Sequence, residues 1–263
     1  MIFEYYAMLA SFLGTSVEFI EALTIILAVG TIRGWKSSLS GAAVAIIILT
    51  ILVVGIGTPL VQIVHIFWVQ LLVGLFMLLF GIRWLRKAIL RYSGLKAIHD
   101  EAESYQKELD RQRKAGQVGN GIDSFGFMTS LSITFLEGME AIFIVITLGT
   151  SSTRTGLMQD TIIGAVAAVV IVLLAGIFLR KPLTKIPENT MKFIVGVMLT
   201  SFGAFWVGEA FGVDWPQADM SIVYMSASLL LFSWVTVRYI KSKLQVEGGK
   251  QNEGTINAMG ANR

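Results

Sequence analysis

The chain has 263 residues, of which 54% are hydrophobic and only 15% charged, and it contains no cysteine. A soluble domain carries about a quarter charged residues, so an ordinary soluble enzyme is excluded, and the missing cysteines remove disulfides, thiolate metal sites and cysteine redox chemistry. The net charge of +3 lies beside apolar stretches, which gives no basis for a nucleic-acid partner.

A membrane span needs roughly 20 mostly apolar residues. The first such stretch covers 5–31, with Glu18 and Glu21 near its middle. Its flank, Met1-Ile2-Phe3-Glu4, has no basic segment, so it reads as a retained span and not a cleaved signal peptide. The second and third spans cover 38–59 and 65–87. A charged connection follows over 92–122, predicted as a solvated surface helix that ends near Gly116 and Gly119-Asn120-Gly121. The fourth span, 125–149, carries Glu137 and Glu140 near its middle. The fifth, sixth and seventh cover 157–179, 190–211 and 218–239. The polar tail beyond has too little apolar surface to pack, and disorder is expected there. Runs such as Ala45-Ile46-Ile47-Ile48-Leu49 do not alternate, so the spans are predicted as helices and not barrel strands.

Lys and Arg cluster after the odd-numbered spans: Arg33 and Lys36, then Arg83 through Lys114, then Arg180, Lys181 and Lys185, then Arg238 through Lys250. The loops of the opposite side hold only Arg154, with Asp160, Glu209, Asp214 and Asp219. The positive-inside rule then predicts an outside N-terminus and a cytoplasmic C-terminus. The expected location is the cell membrane, with the lipid bilayer as a partner.

The two halves resemble each other. Glu18-Phe19-Ile20-Glu21-Ala22 matches Glu137-Gly138-Met139-Glu140-Ala141, and Pro59-Leu60-x-x-Ile63 matches Pro182-Leu183-x-x-Ile186. Val73-Gly74, Phe80-Gly81 and Trp84 match Val195-Gly196, Phe202-Gly203 and Trp206 with identical internal spacing. A repeat of three spans must invert its orientation. The predicted fold class is an all-α polytopic membrane protein: seven transmembrane helices as a 3+3 inverted repeat plus one. The expected units are a first three-helix repeat over 1–91, a cytoplasmic charged linker helix over 92–122 and a second three-helix repeat over 123–212. A seventh transmembrane helix over 213–240 and a disordered cytoplasmic tail over 241–263 complete the chain.

A carboxylate at mid-membrane costs about 2.5–3.5 kcal/mol on insertion scales. Something must offset that cost at Glu18, Glu21, Glu137 and Glu140: a cation, a proton or water. At i and i+3 both carboxylates of a pair share one helix face. Two such pairs on facing helices would enclose a site of carboxylate oxygens suited to a multivalent hard cation. The blander alternative is protonated glutamates bonding between helices. Thr15, Ser16 and Thr24 beside the first pair, and Ser132, Thr134 and Thr147 beside the second, offer further oxygens, although such hydroxyls usually bond back to their own helix. Met139 is expected to fill space, the paired glycines to let helices approach, His65 to sit at an interface, and His99 through Glu103 to form a solvated acidic helix.

The segments Val17-Glu18-Phe19-Ile20-Glu21-Ala22 and Leu136-Glu137-Gly138-Met139-Glu140-Ala141 resemble the Arg-Glu-Gly-x-Glu motifs of the iron permease family, which includes the fungal high-affinity iron permease and bacterial counterparts. The resemblance implies seven spans, an outside N-terminus, and iron uptake with Glu18, Glu21, Glu137 and Glu140 binding the metal in transit. The chain departs from the motif at Val17 and Leu136, where the family has Arg, and at Phe19, where it has Gly. It is similar to a divergent member whose site is more negative by up to two charges. A manganese or calcium cation-proton exchanger is the alternative among transporters, although Glu here stands where those have Asp. A non-transporting assembly or sensing subunit is the alternative outside transport. No enzyme is expected, since no catalytic Ser/His/Asp set, haem ligand pair or phosphate loop is present. The metal ion is expected as substrate, with no cofactor. An extracytoplasmic oxidase or metal-delivery protein, and a second copy of the chain, are compatible partners.

Overall fold

A computed structural model describes residues 2–57, 66–97, 99–116, 121–150, 156–179, 187–217 and 220–260. The Pro59 and Pro182 matches, His65, Arg154, Arg180, Lys181, Lys185 and Asp219 lie outside them. Eight α-helices and no strand are present among the described residues. Helix α1, Ile2–Arg33, ends at Gly34, whose φ of +88° only glycine adopts without strain. Helix α2 covers Trp35–Leu52 and runs on into a π-helical turn at Val53–Gly57. Helix α3 is Phe67–Tyr92. Helix α4, Glu101–Lys114, starts where the Asp100 side chain accepts the Ala102 amide. Helix α5, Ser124–Gly149, starts in the same way, with Asp123 accepting from Gly126. Helices α6, Leu157–Leu179, α7, Glu188–Ala210, and α8, Met220–Gly260, complete the chain.

Seven helices are long and apolar enough to cross a membrane, all but α4. Ile46, Ile47 and Ile51 on α2, Ile163, Val166 and Val170 on α6, and Leu231, Phe232 and Trp234 on α8 are exposed. In water such faces would demand a partner; in a bilayer, lipid covers them.

The helix pairing is symmetric about the middle of the chain. The most extensive pair is α3 with α7; α1 packs on α6 as α2 packs on α5, and α1 also crosses α5. Exchanging α1, α2 and α3 for α5, α6 and α7 leaves this pattern unchanged. Individual contacts repeat in the same way. A Cβ at Gly41 would strike the Phe127 carbonyl, and one at Gly164 would strike the Met8 carbonyl at the equivalent place in the other half. Ser11 donates to the Thr161 carbonyl at 2.7 Å, and the equivalent residues, Ser130 and Ser38, bond at 3.1 Å. Gly81 closes on the Thr200 backbone as Gly203 closes on that of Leu78, while a Cβ at Gly196 would sit 2.9 Å from the Leu85 nitrogen and one at Gly74 3.1 Å from that of Val207. Along α3 and α7 these contacts run in opposite directions, as an inverted repeat requires.

Two elements differ from the expectation. Helix α4 is not freely solvated: Leu109, Glu108 and Gln112 are buried against the bundle. The Arg33 guanidinium, closing α1, donates to the Gln112 carbonyl, pairs with Asp123 at 3.4 Å and lies 5.4 Å over the Phe125 ring. The alternation of charge along α4 hides this narrow buried face. Helix α8 continues to Gly260, beyond the 218–239 expected for the seventh span. Extending an existing helix needs no new nucleus, and this favours continuation into a sequence that would not start a helix itself.

Candidate metal centre

The site begins with two helices that cross at mid-depth. Gly14 of α1 meets Ile144 of α5, and Gly126 of α5 meets Arg33 of α1, so the helices run antiparallel. Both glutamate motifs lie between those contacts and therefore at the same height. Small residues permit the approach on every side. A Cβ at Gly138, between Glu137 and Glu140, would strike Leu49 of α2. Phe19 packs with Ile20, Leu23 and Val172 against α6.

Three of the four expected glutamates converge. Glu18, Glu137 and Glu140 each bring one carboxylate oxygen into a group in which all lie within 4.8 Å of one another. Glu18 is 1% exposed, and its Oε1 has no hydrogen-bond partner. Carboxylates this close repel one another unless a proton or a cation lies between them. Arg83 and Lys87 on α3 lie within electrostatic reach of Glu140.

The fourth glutamate turns elsewhere. Glu21 is ion-paired with Lys192 of α7, and its carboxylate lies with Glu188 and His99 in a second group, again within 4.8 Å. Lys192 also pairs with Glu188 at 2.9 Å, and His99 approaches Glu188 at 3.7 Å. The four glutamates expected to share one site are thus divided between two groups, with Glu21 drawn to the cation that α7 presents. The motif positions that lack arginine carry no charge into either cluster: Val17 is buried in the apolar core and Leu136 is exposed at the bundle surface.

The neighbouring hydroxyls divide by behaviour. Ser16 bonds back to the Phe12 carbonyl at 2.7 Å and Thr147 to that of Phe143 at 2.5 Å, as such residues usually do. Ser132 is exposed. Thr15, Thr24 and Thr134 are buried with hydroxyls that have no partner. Thr15 precedes Glu18 by the same three positions as Thr134 precedes Glu137, so each shares a helix face with its glutamate.

Glu188 and Lys192 are the residues that the sequence alone did not single out. They lie four positions apart at the entry to an apolar stretch, where charged residues are commonplace. A Glu and Lys at that spacing, with the Lys already inside the span, was the available signal.

A family model described as ferrous iron uptake permease, iron-lead transporter, matches residues 8–240, from α1 into α8 and across all four motif glutamates. Neither a curated protein nor a solved structure matches the chain.

Proposed function

Because this chain belongs to the ferrous iron uptake permease family, we propose that it carries ferrous iron across the membrane and that Glu18, Glu137 and Glu140 bind the ion in transit. The observation that carries this reading is the convergence of three carboxylates from two crossing helices at mid-membrane. Such a cluster is costly without a cation or protons, and a divalent ion bound by oxygens offsets the cost directly. The unpartnered Oε1 of Glu18 is a ligand atom already desolvated. Protons that relieve the repulsion among these carboxylates leave when metal enters, because carboxylates coordinate best when ionised. No nucleotide motif is present, so the driving force is the membrane potential, an ion gradient or a partner. A membrane potential contributes about 2.3 kcal/mol per elementary charge at 100 mV. A potential that is negative inside drives a cation inward.

The test is anaerobic flux in proteoliposomes across ferrous iron, lead, manganese, zinc, calcium and magnesium. Ferrous iron is expected to be carried, and Glu18→Gln, Glu137→Gln and Glu140→Gln each to reduce its flux about tenfold or more while the protein stays folded, since loss of one charged ligand costs a kcal/mol or more. Undiminished flux in all three variants would overturn the assignment of the site.

A further inference from the structure

We propose that Glu21, Glu188 and His99 form a second station for a divalent transition-metal cation, which Lys192 fills with its own ammonium group when no metal is there. The identity of the ion rests on the transport reading above; the existence of the station does not.

The donor set is the first argument. Two carboxylates and an imidazole, from α1, α7 and the segment before α4, place one ligand atom each within 4.8 Å of one another. Mixed nitrogen and oxygen ligands suit iron, cobalt, nickel or zinc, in contrast to the all-oxygen cluster of Glu18, Glu137 and Glu140.

The second argument is that this pocket holds a cation already. The Lys192 ammonium contacts Glu21 and lies 2.9 Å from Glu188, and its side chain is only 16% exposed. A positive charge is therefore stable between these two carboxylates. In the same position the Lys192 Nζ lies 5.7 Å from the Trp84 ring centroid, within cation–π range.

The third argument is construction. Glu188 is 2% exposed in the first turn of α7. The next residue, Asn189, donates to the His99 carbonyl at 2.9 Å and accepts the His99 amide at 3.4 Å, while Arg91 donates to Asn189 at 2.7 Å. The imidazole is thus anchored by a clamp on its own backbone. A residue of a solvated charged helix would not be held in this way.

Placement gives the station its role. Glu18 belongs to the central cluster and Glu21 to the second, and at i and i+3 their Cα atoms differ by about 4.5 Å along the axis. An ion leaving the centre meets the next carboxylate one turn on, toward the side that carries α4, and ends at a histidine whose side chain is 30% exposed. Entry of the metal displaces the ammonium, so the pocket is never without positive charge, and the carboxylates are never buried unpaired.

Cobalt(II) is the probe, because its visible absorption reports nitrogen ligation, and the full chain in lipid nanodiscs is the sample. Wild type is expected to bind one cobalt in each of the two clusters. His99→Ala should remove one of them together with the nitrogen-dependent band. The double variant Glu18→Gln/Glu137→Gln should remove the other and keep the band. Lys192→Met should tighten the His99-dependent site about tenfold or more by removing the competing cation. If the double variant changes nothing while His99→Ala removes a site, the transport reading fails and the second station stands. Unchanged cobalt stoichiometry and spectrum in His99→Ala would overturn the station. Unchanged affinity in a folded Lys192→Met would overturn the role of the tethered ammonium. His99 is partly exposed and outside the spans, so His99→Ala decides the matter even if Lys192→Met does not fold.

Discussion

Gly81 and Gly203 are where single atoms set the shape of the bundle. Each presses on the backbone of the facing helix, Thr200 in one case and Leu78 in the other, so an added Cβ has no flexible side chain to push aside. Gly81→Val or Gly203→Val should force α3 and α7 apart. Overpacking of this kind costs about 1–3 kcal/mol. A lower midpoint of thermal unfolding in detergent would register it, and an unchanged midpoint would show that the contact is not as tight as described. The same change at Gly55, with open space around it, is the control. The four motif glutamates were legible as residues because a carboxylate inside an apolar stretch stands out. Lys192 and Glu188 were not, because charges at a helix entry are ordinary. Their significance comes from Glu21 on another helix, which no spacing within α7 reveals.

At the scale of the element, helix ends and charges give the topology. Gly34 turns α1 into α2 within one residue, and Asp100 and Asp123 cap α4 and α5. These punctuation marks can be read from sequence because they satisfy backbone groups locally. Side preference is an expectation from the clustering of Lys and Arg after the odd-numbered spans. Asp214, between α7 and α8, and Lys107, on α4, are both exposed and fall on opposite faces in this topology. Cysteines introduced at these two positions should label from outside and from inside respectively with an impermeant maleimide, and the reverse pattern would invert the molecule. The buried face of α4 is harder to foresee. Leu109 is its one large apolar contact, and the rest of the interface is Gln112 and Glu108 meeting Arg33 and its surroundings.

For the whole molecule, the relevant property is the pseudo-two-fold relation of the halves. Reciprocal contacts at Gly41 and Gly164, and at Gly81 and Gly203, join the two halves through equivalent interfaces. Ions would then be bound where the halves meet, at the crossing of α1 and α5. Three carboxylates whose oxygens lie within 4.8 Å of one another hold protons unless a cation replaces them, and this links binding to pH. Metal binding releases protons, so affinity should rise with pH and weaken as pH falls, by up to about tenfold per pH unit for each proton released. Ferrous iron affinity and flux measured over a pH series would test this, and a flat profile in wild type would reject the proton link while leaving the ligands in place. In Glu137→Gln the residual pH dependence should shrink, because the cluster has one ionisable carboxyl fewer.

The sequence by itself determined the helical class, the number of spans, the place of the four glutamates and the duplication that carries them. These follow from properties local to the chain: apolar length, the cost of charge in hydrocarbon, and order along the backbone. Only the tertiary structure decided how the glutamates are shared out. Whether Glu21 faces Glu137 or Lys192 depends on where α7 lies relative to α1, and α7 is held against α3 by close backbone approaches between residues more than a hundred positions apart, such as Gly81 with Thr200. A helix wheel shows which side chains share a face, but not which neighbouring helix that face will meet.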